Sequence, residues 1–537
     1  MDFKKVTALV ALSGVLASML TGTAFSKATP KASTTSYKTH LTINLCHWRA
    51  GEAITGQSDA VLSTLEKKFN VTINPINVTW GDYKTKINTW AAAGSLPEVF
   101  SDDAATEKQF PQWISSKLVK ALPSDMSAYP NIKKYLNQED IQAYKYPFGA
   151  KNAKYYGVPR ATYQSVDWWA NDYCIMIRKD WMKKVGITKV PTNMDEFTKL
   201  MKAFVAKDPD GDGKADTVGL TAYTQDWLYP LFTGYEPSIM TWTKDSSNKW
   251  TAGFMTNGAL KGIAAIKKLY DAGGLDRDIA TFKGDEGKDK FTSGHAGAYA
   301  QSGYPTALMT LYSAFQKTYG AKWKWTDHIV LMKPFKCSDG NYYRHIQSTA
   351  WSETYFSSKC SDEKMKRVLA MLDWGFTTTS DGFKLMRYGI KGKDYTEKNG
   401  KITLINKKDS NGAIMTINQK YPSTILANWW GWFQDWSYTD STFAYPDMQK
   451  QAKDLLDWEM KNCKPEKTNL MLSWMPYQGK ENENYAMGAE IIKACASSDA
   501  VAEWKQMVNN YKANGYTKLL ASMNAYAKKY HFTGYTK

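Results

Sequence analysis

The sequence has few of the residues and motifs on which most catalytic and metal centres depend. Its 537 residues include six cysteines and six histidines, with no CxxC pair and no HExxH spacing. It also lacks a nucleophile elbow and a phosphate-binding loop, so it offers no pattern for the common hydrolase, zinc or nucleotide-binding centres. The widely spaced cysteines do not predict a disulfide scaffold, which a chain of this size does not need.

Long apolar runs are also scarce. One uncharged, mostly apolar run over 6–20 follows two lysines and is too short to span a bilayer comfortably, which predicts a secretory signal peptide over 1–26. Thr23 stands where a bacterial lipoprotein would carry its modified cysteine, which argues against a lipid anchor. The Lys-, Ser- and Thr-rich stretch 27–37 predicts a flexible leader. We therefore expect a secreted protein, or one associated with the bacterial cell surface.

The charge balance is strongly basic, with a formal net charge of +17. An acidic ligand, nucleic acid, an anionic cell wall or solubility alone would each account for it. The basic residues are scattered singly or in pairs, without a polybasic patch. Secretion argues against a nucleic-acid partner.

Strand and helix patterns alternate along the first half of the chain. Strand patterns at 40–48, 71–78 and 96–103 are separated by helical ones, which predicts a mostly parallel sheet with helices on its faces. The alternation restarts at 172–187. From 362 onward the pattern is mainly helical, so we expect an α/β fold with a helix-rich C-terminal part.

An acidic loop follows a helix that Asn193 is expected to cap. The stretch DPDGDGKADTVGL resembles a calcium-binding EF-hand loop, but Gly219 replaces the closing bidentate glutamate. Clustered acids repel one another without a cation, so we predict a weak, structural Ca²⁺ site; the alternative is a surface turn without metal. The predicted ligands are the side chains of Asp208, Asp210, Asp212 and Asp216 and the carbonyl of Lys214.

Tryptophan is unusually frequent, with 21 residues, several of them in tight clusters. An indole offers a flat apolar face with one donor, and the C–H face of a pyranose ring stacks on such a surface. Clusters beside Asn and Gly favour exposure in a cleft; the alternative is core packing. The predicted ligand contacts are Trp48, Trp168, Trp169, Trp429 and Trp430.

Arg160 is the remaining site candidate. It follows the segment YYGVP. The family resemblance given in the next paragraph implies that the chain leaves a first lobe here, and so Arg160 should face the cleft between two lobes. A guanidinium holds a carboxylate through two parallel hydrogen bonds. The alternative is an ion pair at the surface or between lobes.

Several of these stretches together resemble one family: the extracellular solute-binding proteins of carbohydrate ABC importers, especially the long subgroup that includes alginate- and uronate-oligosaccharide binders. The resemblance implies two α/β lobes of the type II periplasmic-binding-protein fold, which close by a hinge on a ligand in the cleft between them. The segments that carry it are AAAGSLPEVF (91–100), YYGVPR (155–160), IMIRKDWMKKVGITKVPTNMDEF (175–197), the acidic loop (208–220), FTSGHAGAY (291–299) and GYTKLLASMNAYAKKY (515–530).

The resemblance also implies an organisation and partners. We expect lobe one over 38–170 with 300–350, and lobe two over 171–299 with 351–537. The expected partners are an oligosaccharide, of acidic character on the evidence of charge and Arg160, and the permease subunits of an importer. We expect a monomer without enzymatic activity.

Two other function classes stay open at this stage. A secreted glycoside hydrolase or polysaccharide lyase is also often rich in tryptophan, and it would need two carboxylates about 5–10 Å apart across the cleft. Glu98, Asp102 and Asp167 are acids of that kind, although nothing in the sequence pairs them. A peptide-binding importer component would need fewer stacking surfaces.

Overall fold

The computed structural model describes residues 37–529 and 531, apart from 57, 108, 148–149, 167–172, 283, 347, 406–414, 432 and 467–486. The predicted signal peptide lies outside these residues, as does the predicted leader except for Tyr37. The pattern of contacts between residues divides the chain into two units, with the boundary after Thr39. Every helix and strand described below belongs to the unit that begins at His40.

The strands follow the predicted alternation and fall into two main sheets. In chain order they are β1 (Leu41–Cys46), β2 (Val71–Ile76), β3 (Val99–Asp102), β4 (Gly157–Ala161), β5 (Cys174–Arg178), β6 (Val218–Ala222), β7 (Trp242–Lys244), β8 (Trp250–Ala252), β9 (Ala296–Gln301), β10 (Ile329–Leu331), β11 (Tyr342–Arg344), β12 (Ala350–Phe356), β13 (Tyr395–Lys398), β14 (Lys401–Leu404) and β15 (Cys463–Pro465).

The first sheet has the order β2-β1-β3-β12-β4. β1 pairs in parallel with β2 and β3, and β12 runs antiparallel between β3 and β4. The carboxyl ends of β1 to β4 therefore meet at one edge, together with the start of β12. The second sheet has the order β10-β5-β9-β6, in which β6 and β9 are parallel.

Helices cover both sheets and dominate the C-terminal part, as predicted. They are α1 (Ala50–Ala53), α2 (Ala60–Phe69), α3 (Tyr83–Ala92), α4 (Phe110–Ser115), α5 (Pro130–Leu136), α6 (Lys179–Lys184), α7 (Met194–Ala206), α8 (Asn257–Asp271), α9 (Glu286–Ser293), α10 (Pro305–Tyr319), α11 (Trp325–His328), α12 (Asp362–Gly375), α13 (Asp381–Tyr388), α14 (Ile417–Lys420), α15 (Ala427–Trp430), α16 (Pro446–Asn462), α17 (Met487–Ala496), α18 (Ala500–Tyr511) and α19 (Thr517–Lys529).

Local signals in the sequence explain where several helices begin and end. Asn193 caps α7, because its side chain accepts a hydrogen bond from the Glu196 amide at 2.9 Å. The apolar stripe of α7 is buried against the second sheet. Gly515, with φ of 109°, interrupts the last helical segment.

The strand pairings assign two segments differently from the predicted lobe boundaries. The predicted boundaries place 300–350 with lobe one and the chain beyond it with lobe two. In the structure α10 packs on the second sheet and β10 joins that sheet, whereas β12 enters the first sheet. α12 then packs on the first lobe, where Asp373 Oδ1 accepts hydrogen bonds from two amides at the start of α5. Periodicity predicts a strand such as β12, but it does not say which sheet the strand will join.

All six thiols are unpaired, and Cys46 and Cys174 are among the buried ones. Among the described residues, every helix is too short or too polar to cross a bilayer.

Candidate functional site

A cavity of about 370 Å³ lies where elements of the two sheets face each other. One wall comes from α9, the end of β9 and the start of α10. The other comes from α1, α13 and the segment around α15. The lining residues are Arg49, Asp285, Lys288, Gln301, Tyr304, Thr306, Ala307, Thr310, Leu311, Met386, Arg387, Ile417, Asn418, Thr424, Ile425, Ala427, Asn428, Phe433, Gln434 and Trp436.

Arg387 and Trp436 form the most distinctive pair in this wall. The guanidinium carbon of Arg387 lies 5.2 Å from the Trp436 ring centroid. The Trp436 Nε1 donates a hydrogen bond of 3.0 Å to the Tyr388 hydroxyl, which fixes the plane of the indole. Burial lowers the pKa of Arg387 to about 10, so the guanidinium is still charged at neutral pH. A flat apolar face beside a forked cation suits an acidic sugar ring.

Arg160 was predicted to face the cleft, but the structure buries it beneath the cavity wall, with only 2% of its surface exposed. Its guanidinium lies between the rings of Trp48 and Trp351, 4.9 and 5.0 Å from their centroids. It donates hydrogen bonds to the carbonyl of Trp351 and to the backbone and side-chain oxygens of Asn428. Arg160 therefore positions Asn428, which does line the cavity.

Trp48 is also buried, and another tryptophan covers it. Trp48 is 5% exposed, whereas Trp80, whose ring centroid lies 5.7 Å away, is 56% exposed. Trp80 stacks on Tyr83 with centroids 5.3 Å apart and contacts Trp351 as well. Trp80 follows β2 as Trp48 follows β1, so its position after a strand of the first sheet is a signal that could have identified it from the sequence. The exposed indole at this edge belongs to Trp80.

Trp429 and Trp430 are core residues in the structure, which corrects their prediction as sugar contacts. Both are less than 4% exposed. The Trp429 Nε1 donates to Thr354 Oγ1 at 3.1 Å, and the Trp430 Nε1 donates to the Met371 carbonyl at 2.7 Å. Both polar groups are thus satisfied inside the protein, and the same sequence cluster reaches the cavity through Trp436 instead.

Three further predicted residues lie outside the described part of the chain. Trp168, Trp169 and Asp167 belong to 167–172, between β4 and β5. Sugar stacking by the two tryptophans and an acidic role for Asp167 therefore stay predictions.

The other two acids considered for catalysis do not line the cavity. Glu98 accepts a hydrogen bond of 2.6 Å from Lys364 Nζ, and Asp102 is buried with 2% exposure. Burial raises the pKa of Asp102 to about 8. Among the described lining residues, the one carboxylate is Asp285, and its Oδ2 lies 2.9 Å from Lys288 Nζ.

The acidic loop brings three of its predicted ligands together. Carboxylate oxygens of Asp208, Asp210 and Asp212 lie within 4.8 Å of one another. Asp208 accepts hydrogen bonds from the amides of Gly211 and Gly213, which fold the loop around it. The Oδ1 of Asp210 is buried without a hydrogen-bond partner among the described residues. Burial and the neighbouring carboxylates raise the pKa of Asp210, so the cluster would gain from a cation.

The rest of the loop departs from the expected ligand set. Asp216 points to His295, with 3.9 Å between Oδ2 and Nε2, and is not part of the cluster. The Lys214 ammonium lies 2.8 Å from Asp212 Oδ2. A Cβ at Gly219 would lie 2.4 Å from the Gly274 carbonyl oxygen, so packing leaves no room for the closing glutamate.

The loop is remote from the cavity. β6 and β9 are parallel, and Gln301 at the carboxyl end of β9 lines the cavity. The loop precedes β6 and therefore lies at the opposite edge of the second sheet. A cation there would support the fold of its lobe without touching a ligand in the cleft.

Known proteins share this architecture. The alginate-binding protein AlgQ2, in a crystal structure without calcium ion, superposes with a TM-score of 0.65 at 18% identity, over 92% of this chain and 99% of that one. At this identity the likeness shows the fold alone. It confirms the predicted two-lobe periplasmic-binding-protein fold.

Two curated proteins of Bacillus subtilis (strain 168) are related in sequence. Lipoprotein LipO is 27% identical over 65% of this chain and 66% of its own length. The polygalacturonan/rhamnogalacturonan-binding protein YtcQ is 26% identical over 63% of this chain and 64% of its own. The chain thus spans just under two thirds of the length of these relatives. A family model described as bacterial extracellular solute-binding protein matches residues 60–382, more than half of the chain, and the protein therefore belongs to that family.

Proposed function

We propose that this protein captures an oligosaccharide in the cavity between its lobes and delivers it to an ABC importer. The observation that carries the proposal is the Arg387–Trp436 pair in the cavity wall, with Asn428 close by. The indole supplies a stacking face, and Asn428 supplies hydrogen bonds to hydroxyls. Membership of an extracellular solute-binding family supports the delivery role, with permease subunits as partners of a secreted or surface-associated monomer.

The ligand we propose is acidic, with uronate as the first candidate. Among the described residues, three cations and one carboxylate line the cavity. Of these cations, Arg387 lies over the Trp436 ring, 5.2 Å from its centroid, so it would meet the carboxylate of a sugar that binds beside this indole. The name of YtcQ, a polygalacturonan- and rhamnogalacturonan-binding relative, agrees with this choice.

The buried residues serve these contacts indirectly. Arg160 and Trp48 are positioning residues, since they hold Asn428 and support Trp80. We propose Trp80 as a second stacking surface, at the carboxyl edge of the first sheet. A chain of several sugars would then extend from Trp436 toward Trp80 as the lobes close.

We also propose that the acidic loop holds a structural Ca²⁺. Asp208, Asp210 and Asp212 fit the ion, because they gather hard oxygen donors and include one buried oxygen without a partner among the described residues. The carbonyl of Lys214 is a further proposed ligand, and Asp216 would join only by leaving His295. A bound ion would neutralise the repulsion between the three carboxylates.

A thermal-shift screen tests the proposed function. Neutral and uronate-containing oligosaccharides of equal length are added to the full chain, and a ligand that binds the folded state raises the melting temperature. We expect the uronate series to raise it and each sugar to be recovered intact. Release of reducing ends or of unsaturated products would favour the hydrolase or lyase alternative, and a shift with peptides alone would favour a peptide carrier.

A further inference from the structure

A second cavity, of about 380 Å³, lies in the first lobe away from the cleft. Tyr155 forms part of it and precedes β4, whereas Arg160, under the cleft wall, lies near the other end of that strand. The cavity is therefore at the amino-terminal edge of the first sheet. Its lining residues are Leu122, Pro123, Ser124, Asp125, Met126, Lys133, Leu136, Asn137, Lys145, Ala153, Lys154 and Tyr155.

Hydrogen bonds hold the walls of this cavity in place. The Tyr155 hydroxyl donates to the Leu136 carbonyl at 2.6 Å, which joins the β4 approach to the end of α5. The Leu122 amide donates to the Tyr155 carbonyl at 2.8 Å. Tyr146 and Lys154 exchange two backbone hydrogen bonds of 2.8 and 3.0 Å. The shape thus exists before any ligand arrives, which lowers the cost of binding.

Positive charge dominates the cavity. Lys133, Lys145 and Lys154 line it. The Lys133 Nζ donates a hydrogen bond of 3.1 Å to Ser127 Oγ, and the Lys145 Nζ lies 5.2 Å from the Tyr155 ring centroid, so both keep their charge without a carboxylate partner in these contacts. The one lining acid, Asp125, accepts a hydrogen bond from the Ser127 amide at 2.9 Å. Three ammonium groups around one preformed space give it a positive potential, which would attract an anion.

We propose that this cavity is a second, peripheral binding site for an anionic, polyhydroxylated chain. The apolar part of the lining, with the half-buried Tyr155, receives the carbon skeleton of a sugar or polyol. The three lysines bind its carboxylate or phosphate groups. Uronate chains and polyol-phosphate chains of the cell envelope share this chemistry. The proposal does not depend on the ligand of the cleft.

Two probes and a lysine footprint test the site. Trigalacturonate and a glycerol-phosphate trimer are added separately, and lysine acylation is measured by mass spectrometry. We expect the matching probe to protect Lys133, Lys145 and Lys154 and to leave Lys134 and Lys151 reactive, since these two are exposed outside the lining. The proposal is overturned if all five lysines are protected equally, or if neither probe protects any of them.

Paired variants separate this site from the cleft. The double variant Lys133→Ala/Lys154→Ala should weaken binding at the peripheral site about tenfold, because two solvent-screened charge contacts are lost together. Lys134→Ala/Lys151→Ala removes the same charge and should leave it unchanged. Arg387→Gln should weaken binding in the cleft and leave binding at the peripheral site unchanged. Failure of the cleft proposal can therefore be told apart from failure of the peripheral site. Equal effects of the two lysine pairs would show diffuse attraction and contradict the site.

Discussion

The guanidinium of Arg160 donates hydrogen bonds to both the backbone oxygen and the side-chain Oδ1 of Asn428, at 2.5 and 2.7 Å. Arg160 belongs to β4 and is buried, whereas Asn428 belongs to α15 and lines the cavity. The contact therefore links the first sheet to the wall where a ligand would bind. Its loss should disturb the wall for every ligand, whatever the ligand's charge.

Arg160→Ala should accordingly weaken acidic and neutral oligosaccharides by the same factor. It should also lower the free energy of unfolding by about 3 kcal/mol, because buried acceptors lose their donors and a cavity forms. Calorimetry and urea denaturation measure the two effects. Arg277→Ala is the control, since Arg277 also lies over a ring, that of Tyr270, but outside the cavity. A loss confined to acidic sugars would mean that Arg160 binds the ligand directly.

Trp80 and Trp429 should respond in opposite ways to truncation. Trp80 is 56% exposed, so Trp80→Ala should change the unfolding free energy by less than about 0.5 kcal/mol while weakening sugar binding. Trp429 is fully buried, so Trp429→Ala should cost about 3–5 kcal/mol of stability. Chemical denaturation and sugar titration of both variants provide the comparison. Unchanged sugar affinity in Trp80→Ala would remove it from the site.

Calcium should act on stability and leave sugar affinity nearly unchanged. EDTA should lower the melting temperature of the wild-type protein, and Asp210→Ala should abolish the effect of added calcium. Asp216→Asn is the matched control, because Asp216 points to His295 and should leave the calcium effect intact. Identical melting curves with calcium and with EDTA would contradict the metal site.

The pH dependence of stability should carry a contribution from Asp102. Burial raises its pKa from 3.8 to about 8 in the folded protein. Between these values the folded state keeps a proton that the unfolded state has lost, so this contribution to stability is full below the lower value and is lost as pH rises to 8. Asp102→Asn should make the free energy of unfolding fall less steeply with pH, by up to about 1.4 kcal/mol per pH unit. Urea denaturation between pH 5 and 8 measures the slope, and an equally steep slope in the variant would contradict the assignment.

Periodicity predicted the first three strands, and therefore roughly where each of them ends. It did not show which side chains face outward there. Trp48 and Trp80 follow neighbouring strands in the same way, and only three-dimensional packing puts Trp80 on top. Arg160 likewise lies near the end of a strand of the first sheet, but it is buried and its donors bind the Trp351 carbonyl and Asn428.

Long-range pairing explains the remaining differences. The return strand β12 adds carbonyl and side-chain partners for Arg160 and Trp429, and it comes about 190 residues after β4. No local pattern predicts contacts over that distance. The acidic loop is a local structure, so most of it was predictable. The exception is Asp216, whose partner His295 comes from the turn before β9.

The most direct measurement of the central claim is calorimetric titration of wild-type and Arg387→Gln protein with trigalacturonate and a neutral trisaccharide of the same length. We expect the wild type to prefer the acidic trisaccharide, with an affinity that falls as salt rises, because the charge attraction is partly screened. Arg387→Gln should lose that preference by about 2–3 kcal/mol while keeping its affinity for the neutral sugar. Equal affinity for both sugars in the wild-type protein, insensitive to salt and to the substitution, would contradict an acidic ligand held by Arg387.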